Sequence, residues 1–418
     1  MHKVLNNIRC KFKNVSSFID NISHKKTILN KTNNIIPICC KKLLNGCGYK
    51  SAINKLYLDT DMHKTTRQAV TKYRSKIESS YFEYLHKIML DIYTSRYPSK
   101  KKYYAVDVST IRLSKKQAKN GYPLTKMKRY CNGYLTSIYD ISSGTIISTH
   151  ISKTIDDRQH FIDIIKKIDK NGLYIFDRGY ISNKFIDILL DNNINFIIRM
   201  IENKNYAKKY LKNLTTEQMV DIDYKKNDTF IKLRGIKYFI DDSPFYLITS
   251  NFNHTLTEYK QLYHGRWVVE EYFKIVKHTY NGKRYMYVDE NLILQDIHLI
   301  SFMHNLVRFI SKLSIEFYPN KKGKLIIPHN PLTLFIFDTS KKDTYKLDYN
   351  NSADLVINYI FPMLMLLNNY NSSKLDKIVN IIADTYFLII NNRHQDRVAI
   401  FPPSIWYFRC YMSKYNPP

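Results

Sequence analysis

The sequence predicts a mixed α/β core, flanked by helical regions at both ends of a 418-residue chain. Short apolar strand-like runs alternate with amphipathic helical runs through the middle of the chain. The first quarter is helical and basic, and the last quarter alternates polar loops with apolar helical runs. Hydrophobic residues make up 44% of the chain, which is enough for a sizeable core and excludes a disordered protein.

The charge of the chain indicates the class of its partner. Lys and Arg number 65 against 36 Asp and Glu, a formal net charge of +29. A surplus this large favours binding to a polyanion, most commonly nucleic acid. A membrane surface is the alternative, but no apolar run reaches the roughly 18 residues that a spanning helix needs. We also expect no signal peptide, because the basic N-terminus lacks a compact apolar segment.

Residues 1–102 carry about half of this surplus, with 21 Lys and Arg against 6 Asp and Glu. A mostly helical pattern runs from Thr65 to Tyr97, and Pro98 with a lysine-rich linker ends it. We predict a basic helical DNA-binding region here, and a solvated basic surface is the alternative.

The six cysteines show no disulfide framework for a chain of this length. Reduced thiols are the expected state. A zinc site is the alternative for the three that are close to His24 in sequence, namely Cys39, Cys40 and Cys47.

The order of the central elements indicates the fold. Predicted strands lie at Tyr103–Ser109, Tyr134–Ile141, Thr145–Ile151, Leu173–Asp177 and Asn195–Ile201, with helices at Asp157–Asp169 and Ile181–Asn193. An antiparallel meander followed by βαβ units is the ribonuclease-H-like order. Asp107 is expected to end the first strand and Asp177 the fourth. Because those strands are neighbours in this fold, both carboxylates should lie at one edge, where a buried carboxylate requires exposure, a partner or a metal.

A helical pattern also covers Tyr263 to Lys277. At 100° per residue, Tyr263, Arg266, Glu270 and Lys277 share an arc of about 60°. A phenol, two cations and a carboxylate on one face suit a site where a metal meets a phosphate chain. The alternative is a solvated face with an Arg266–Glu270 ion pair.

These four residues spell Y-x2-R-x3-E-x6-K, which resembles the signature of DDE transposases of the insertion-sequence-four family. The segment Asp177–Tyr180 resembles the second motif of that family. The Asp107 segment resembles the first motif in position, although Val108 stands where the family more often has glycine. The resemblance extends from about residue 65 to 310.

The resemblance implies a cut-and-paste DNA transposase. Its catalytic and metal-binding residues would be Asp107, Asp177 and Glu270, and its DNA-binding residues would be Tyr263, Arg266, Lys277 and Arg178. It implies two Mg²⁺ ions, for which Mn²⁺ could substitute. Such a pair stabilises charge on the attacking and leaving oxygens, and Mg²⁺ needs carboxylates rather than a His/Cys cage.

The implied partners are double-stranded DNA, as terminal inverted repeats and as target, and a second copy of the chain in a homodimer. A hairpin intermediate with a flipped base requires an aromatic side chain on which the base can stack, and Phe245 and Tyr246 are candidates. The expected compartment is the bacterial cytoplasm or nucleoid, or otherwise a nucleus or viral replication site. Two alternatives are a domesticated, non-catalytic DNA-binding protein and a ribonuclease-H-like nuclease without strand transfer.

The predicted division of the chain has five parts. Residues 1–102 form the basic helical region, 103–201 the first part of the core, 202–255 a β-strand insertion, 256–320 the second part of the core, and 321–418 a helical C-terminal region. Strands in the insertion are predicted at Asp221–Lys225, Phe230–Ile240 and Phe245–Ser250.

Overall fold

The computed structural model describes residues 1–22, 26–60, 65–204, 206–240, 242–318, 325–327, 344–365 and 371–388. The α-helices up to residue 317 are α1 (His2–Ile22), α2 (Lys26–Asn45), α3 (Tyr49–Asp59), α4 (Arg67–Arg74), α5 (Ser79–Arg96), α6 (Asp157–Ile164), α7 (Asn183–Asp191), α8 (Leu256–Gly265), α9 (Val268–Lys274) and α10 (Glu290–Phe317). The strands are β1 (Tyr103–Leu113), β2 (Cys131–Asp140), β3 (Thr145–Ser152), β4 (Leu173–Phe176), β5 (Asn195–Arg199), β6 (Gln218–Lys226), β7 (Thr229–Ile240), β8 (Ser243–Thr249), β9 (Arg284–Tyr285), β10 (Leu325–Ile327), β11 (Thr344–Leu347) and β12 (Tyr386–Leu388).

One large mixed sheet has the strand order β3-β2-β1-β4-β5-β8-β7-β6, and β9 adds to β1. Strands β1 to β3 form an antiparallel meander, and β1, β4 and β5 are parallel neighbours. This is the predicted ribonuclease-H-like order, and it confirms the fold class. Strand β4, between β1 and β5, is apolar and buried along its whole length, as expected for a parallel strand whose two faces are covered.

The three strands predicted between residues 221 and 250 are present as β6, β7 and β8. Strand β8 pairs antiparallel with β5, so these strands extend the central sheet. The β6–β7 hairpin turns at Asn227, which has a φ of +50°, a conformation that asparagine adopts more readily than most residues. Whether residues 202–255 form a domain of their own stays a prediction.

The 28-residue helix α10 lies at the centre of the molecule, packed against α5, β3 and the N-terminal helices. Most of its circumference is buried, which explains its continuous apolar pattern. Among the described residues, no helix combines the length and the apolar character needed to cross a membrane.

Polar side chains of α10 hold the neighbouring elements in position through hydrogen bonds. Asn305 accepts a hydrogen bond from the Ile146 amide (2.8 Å) and donates to the Ile146 carbonyl (2.9 Å), as a neighbouring strand would. The same Asn305 amide group lies 3.0 Å from His86 Nε2 on α5. Asn305 therefore ties β3 and α5 to one position of α10.

The C-terminal region differs from the purely helical prediction. The first apolar run of this region forms two α-helical segments, Tyr349–Leu355 and Phe361–Met365, with a π turn between them at Val356–Ile360. The next helix is Ser372–Asp384, and the chain then enters β12, which pairs with β11 in a small three-stranded sheet. The remainder of the predicted region, including Trp406 and Cys410, lies outside the described residues.

We expect Gly144→Ala to lower the free energy of unfolding by about 1–3 kcal/mol. Gly144 has a φ of +75°, and a Cβ there would lie 1.7 Å from Nη2 of Arg308. Urea denaturation of the full-length protein measures the effect. Gly179→Ala is the matched control, because its φ is not positive and a Cβ there meets nothing within 4 Å. Equal changes in the two variants would contradict the prediction.

Candidate active site

Asp107 lies in the middle of β1, and the prediction that it ends its strand was wrong. Strand β2 pairs with β1 from Tyr104 to Leu113, so β1 continues well past Asp107. Strand β4, on the other side, pairs only with residues 103–105. Asp107 therefore stands just beyond the last pair that β1 makes with β4, where its carboxylate is about one quarter exposed.

Asp177 follows β4 directly and lies beside Asp107. Ala105 of β1 is paired in register with Ile175 of β4, and each aspartate comes two residues later on its strand. Oδ1 of Asp177 accepts a 2.5 Å hydrogen bond from the Arg178 amide, which starts a single 3₁₀ turn, Arg178–Tyr180. The two carboxylates thus lie at the same level of adjacent strands, as the sequence predicted.

The predicted single helix from Tyr263 to Lys277 consists of three segments. Helix α8 ends at Gly265, α9 begins at Val268, and residues 275–279 form a π turn. At the break, the amides of Arg266 and Trp267 bond to carbonyls three residues back. The regular spacing of 100° per residue therefore does not hold across this stretch, and the shared arc of four polar side chains was an oversimplification.

Arg266 connects this stretch to the sheet. Nη2 of Arg266 donates to Oε1 of Glu270 at 2.9 Å, and Nη1 lies 3.9 Å from Oδ2 of Asp107. Its side chain is only 5% exposed, whereas that of Glu270 is 37% exposed. Arg266 is thus a buried counter-ion shared by two carboxylates that are far apart in sequence.

The pKa of Asp107 reflects its burial and the charged groups around it. Burial raises the pKa of Asp107 to about 6, and the nearby carboxylates of Glu270 and Asp177 act in the same direction. The Val108 amide and Arg266 oppose the shift in pKa without cancelling it. Three carboxylates, those of Asp107, Asp177 and Glu270, lie around the one buried guanidinium of Arg266, and this arrangement favours the approach of a cation.

Tyr263 and Lys277 occupy different surroundings. Tyr263 is buried, burial raises its pKa to about 12, and its hydroxyl is one of the buried groups that lack a hydrogen-bond partner among the described residues. Nζ of Lys277 donates to Oγ of Ser109 at 2.6 Å, and burial lowers the pKa of Lys277. Ser109 was missed by the sequence reasoning, although it lies two residues after Asp107 and so on the same face of β1.

The other candidates are spread more widely. Arg178 is exposed, next to Asp177. Phe245 is partly exposed and packs under the Arg199 guanidinium, 4.2 Å from its ring centre. Tyr246 is buried in the core and offers no face to a base. Trp267 is 57% exposed beside Arg266.

Carboxylate oxygens are the donors that Mg²⁺ prefers, so this set fits a hard divalent cation in chemistry. As the side chains lie, however, no three His, Cys, Asp or Glu residues in the described part of the chain are close enough to hold a metal ion. That includes the region of Cys39, Cys40 and Cys47, of which the first two are buried. At the sheet edge, Arg266 holds the carboxylate of Glu270 in an ion pair.

Comparison with known proteins places this arrangement in a family. Residues 98–306, half of the chain, match the family described as "Transposase DDE domain". The matched range contains all three carboxylates and the Tyr263–Lys277 stretch. No curated protein matches the chain.

Among solved structures, the chain is similar to a piggyBac transposase in a synaptic complex with hairpin DNA, determined by cryo-electron microscopy. The identity is 10% and the TM-score 0.43, over 90% of this chain and 82% of that one. The family assignment depends on the domain match, which agrees with the strand order and with the carboxylates beside Arg266. The chain belongs to the family of transposases with a DDE domain.

Proposed function

We propose that the chain is a cut-and-paste DNA transposase of the insertion-sequence-four type, whose catalytic carboxylates are Asp107, Asp177 and Glu270. The observation that supports this most is the contact of Arg266 with both Asp107 and Glu270, next to Asp177 on the adjacent strand. Three acids from separate elements lie around this guanidinium at one sheet edge, although a partly buried carboxylate such as Asp107 is unfavourable without compensation.

The donor set is suited to Mg²⁺, with Mn²⁺ as a substitute. Two such ions would stabilise the charge on the attacking and leaving oxygens of a phosphodiester. Before metal ions bind, Arg266 supplies positive charge next to the same carboxylates. Convergence of the three acids requires Glu270 to leave its ion pair with Arg266, and that movement frees the guanidinium to bind a phosphate through two parallel hydrogen bonds.

The remaining residues act on the DNA side of the site. Lys277 is fixed on β1 through Ser109 and provides a positive charge within reach of Asp107. Burial of the Tyr263 ring favours donation by its hydroxyl to a phosphate over stacking on a base. Arg178 is exposed and available to a DNA backbone.

The reaction begins with attack by a water oxygen on phosphorus at the end of the element. The P–O3′ bond breaks, leaving a 3′-hydroxyl and a 5′-phosphate. The 3′-oxygen then attacks the phosphorus of a phosphodiester in another strand, either in the target or, for a hairpin, in the opposite strand. The P–O3′ bond of the attacked strand breaks as the new P–O bond forms, and that strand leaves with its own 3′-hydroxyl. We propose that two copies of the chain bind the terminal inverted repeats. The basic region 1–102 would contact the DNA phosphates.

The first test is strand cleavage of the terminal DNA of the element in Mg²⁺, comparing the parent chain with Glu270→Gln. We expect the parent to cut and the variant to bind the same DNA without cutting, because the amide removes a charged oxygen ligand. Glu83→Gln, in a surface ion pair with Lys87 on α5, is the control and should cut normally.

The same assay separates the alternatives. Tight DNA binding without cleavage by either protein would indicate a domesticated DNA-binding protein. Cleavage without joining of the 3′-hydroxyl to a second DNA would indicate a nuclease without strand transfer.

A further inference from the structure

A cavity of about 520 Å³ lies behind α9, on the side away from the sheet edge, between α10 and residues 346–350. Its size is that of a small-molecule site. Aromatic side chains line part of its wall, among them Tyr139, Tyr272 and Phe387. None of the three proposed catalytic carboxylates contributes to it.

Arg308 forms the inner wall of this cavity and is only 4% exposed. Among the described residues, its guanidinium has no carboxylate within ion-pair distance and no hydrogen-bond acceptor. It packs instead against the backbone of Gly144. Its nitrogens are not among the fully enclosed polar atoms without a partner, because they border the cavity, so an acceptor that enters the cavity can pair with them.

Arg74, which also lies against α10, shows how this chain normally satisfies a buried arginine. It is 1% exposed and donates to Asp296 at 2.5 Å, to Gln295 at 2.9 Å and to the Leu292 carbonyl at 3.1 Å. The contrast makes Arg308 the exception. Its nitrogens line a cavity large enough for a ligand.

The other charged groups of the cavity leave it cationic. Glu271 is already paired with Lys274, and Oδ1 of Asp348 accepts from the backbone amides of residues 350 and 351. The amides leave the negative charge of Asp348 in place, so the five charged side chains of the cavity, including Arg308 and Lys346, carry a net charge of +1. An anionic ligand would balance the positive charge of the cavity.

The other buried basic group of the cavity contributes no charge. His304 lies 2.8 Å from the Tyr349 hydroxyl through Nδ1 and 3.2 Å from the Gly144 carbonyl through Nε2. Burial holds the pKa of His304 well below its usual value, so the ring is neutral. Both of its nitrogens are occupied, and the anion would be bound by Arg308 alone at the inner end.

We infer that this cavity binds the phosphate of a nucleotide, with Arg308 as its inner anchor and Lys346 at the mouth. Arginine matches a phosphate with two parallel donors, and the aromatic wall provides surface for a base or sugar. The nucleotide belongs either to DNA or to a free mononucleotide, and both present the same phosphate chemistry. This inference is independent of the proposed catalytic carboxylates.

The test is thermal unfolding of the full-length protein with millimolar dAMP, in EDTA so that the nucleotide cannot bind through a divalent cation. We expect dAMP to raise the Tm of the parent by about 2 °C and to leave that of Arg308→Met unchanged. Without ligand, Arg308→Met should unfold no earlier than the parent, because it removes a buried unpaired charge. Lys312→Met removes a charge from the same helix outside the cavity and should respond to dAMP as the parent does.

DNA titrations against salt identify the source of the phosphate. If it belongs to DNA, Arg308→Met should lower the salt slope of duplex binding by about one. If the phosphate belongs to a free nucleotide, Arg308→Met should leave the salt slope of duplex binding unchanged and should lose the dAMP response. Should Arg308→Met fail to fold, Lys346→Met, at an exposed position, should reduce the dAMP response by about half or more. An equal dAMP response in Arg308→Met, or no response of the parent to dAMP together with an unchanged salt slope, would overturn the inference.

Discussion

Replacing Asp107 by cysteine is expected to lower Mg²⁺-dependent cleavage of terminal DNA at least about 1000-fold and to leave a measurable rate in Mn²⁺. The physical reason is the change of ligand atom. Mg²⁺ takes oxygen ligands, whereas Mn²⁺ accepts a thiolate more readily. The partial burial of Asp107 beside Asp177 and Glu270 makes its oxygen hard for water to replace.

Single-turnover cleavage in each metal, with DNA binding measured in parallel, checks this result. Asp163→Cys is the matched control, since Asp163 lies exposed on α6 and should cut in Mg²⁺ as the parent does. Cleavage by Asp107→Cys at the parent rate in Mg²⁺ would remove Asp107 from the site. Loss of cleavage together with loss of DNA binding would indicate a structural role for Asp107 in β1.

The strand order was predictable because each strand carries its own apolar pattern and helical runs separate the parallel strands. The length of β1 was not, because its pattern loses apolar character at Asp107, and pairing with β2 and, at its end, with β9 carries the strand on to Leu113. Pairing is a tertiary property. A carboxylate in mid-strand thus looked like a strand end, although its neighbourhood with Asp177 was foreseen correctly.

For the Tyr263–Lys277 stretch, the sequence indicated the family resemblance but not the shape of the backbone. Its spacing was sufficient to identify the family resemblance, but the break after Gly265 and the π turn at residues 275–279 leave no trace in composition or periodicity. The contacts of Arg266 with Asp107, and of Lys277 with Ser109, join residues more than a hundred positions apart. Sequence patterns report neighbours along the chain, and these contacts depend on the folded sheet.

Helix α10 gives a third case. The polar pair Gln295 and Asp296 interrupts the apolar pattern of this helix, and the sequence alone gives the pair no physical role. The fold supplies the role, since both hold the buried guanidinium of Arg74 on α4. The partner lies on a separate helix near the N-terminus, so no local pattern could have named it.

This network leads to the second large effect. We expect Asp296→Ala to lower the free energy of unfolding by about 3–5 kcal/mol, because it leaves Arg74 buried without its carboxylate. Among the described residues, the guanidinium would keep only neutral acceptors, namely Gln295, the Leu292 carbonyl and the hydroxyls of Tyr287 and Tyr49. Urea denaturation followed by circular dichroism measures the loss, and limited proteolysis should show the N-terminal helices opening first.

A double variant separates the charge from the packing. Arg74→Met combined with Asp296→Leu removes both charges and keeps the volume, so it should recover most of the stability that Asp296→Ala loses. Glu83→Ala, which breaks the exposed Glu83–Lys87 pair on α5, is the control and should cost less than about 1 kcal/mol. If Asp296→Ala cost no more than this control, the Arg74 network would not be what holds the N-terminal helices to α10. If the double variant were as unstable as the single one, the ion pair would be required for more than neutralising a buried charge.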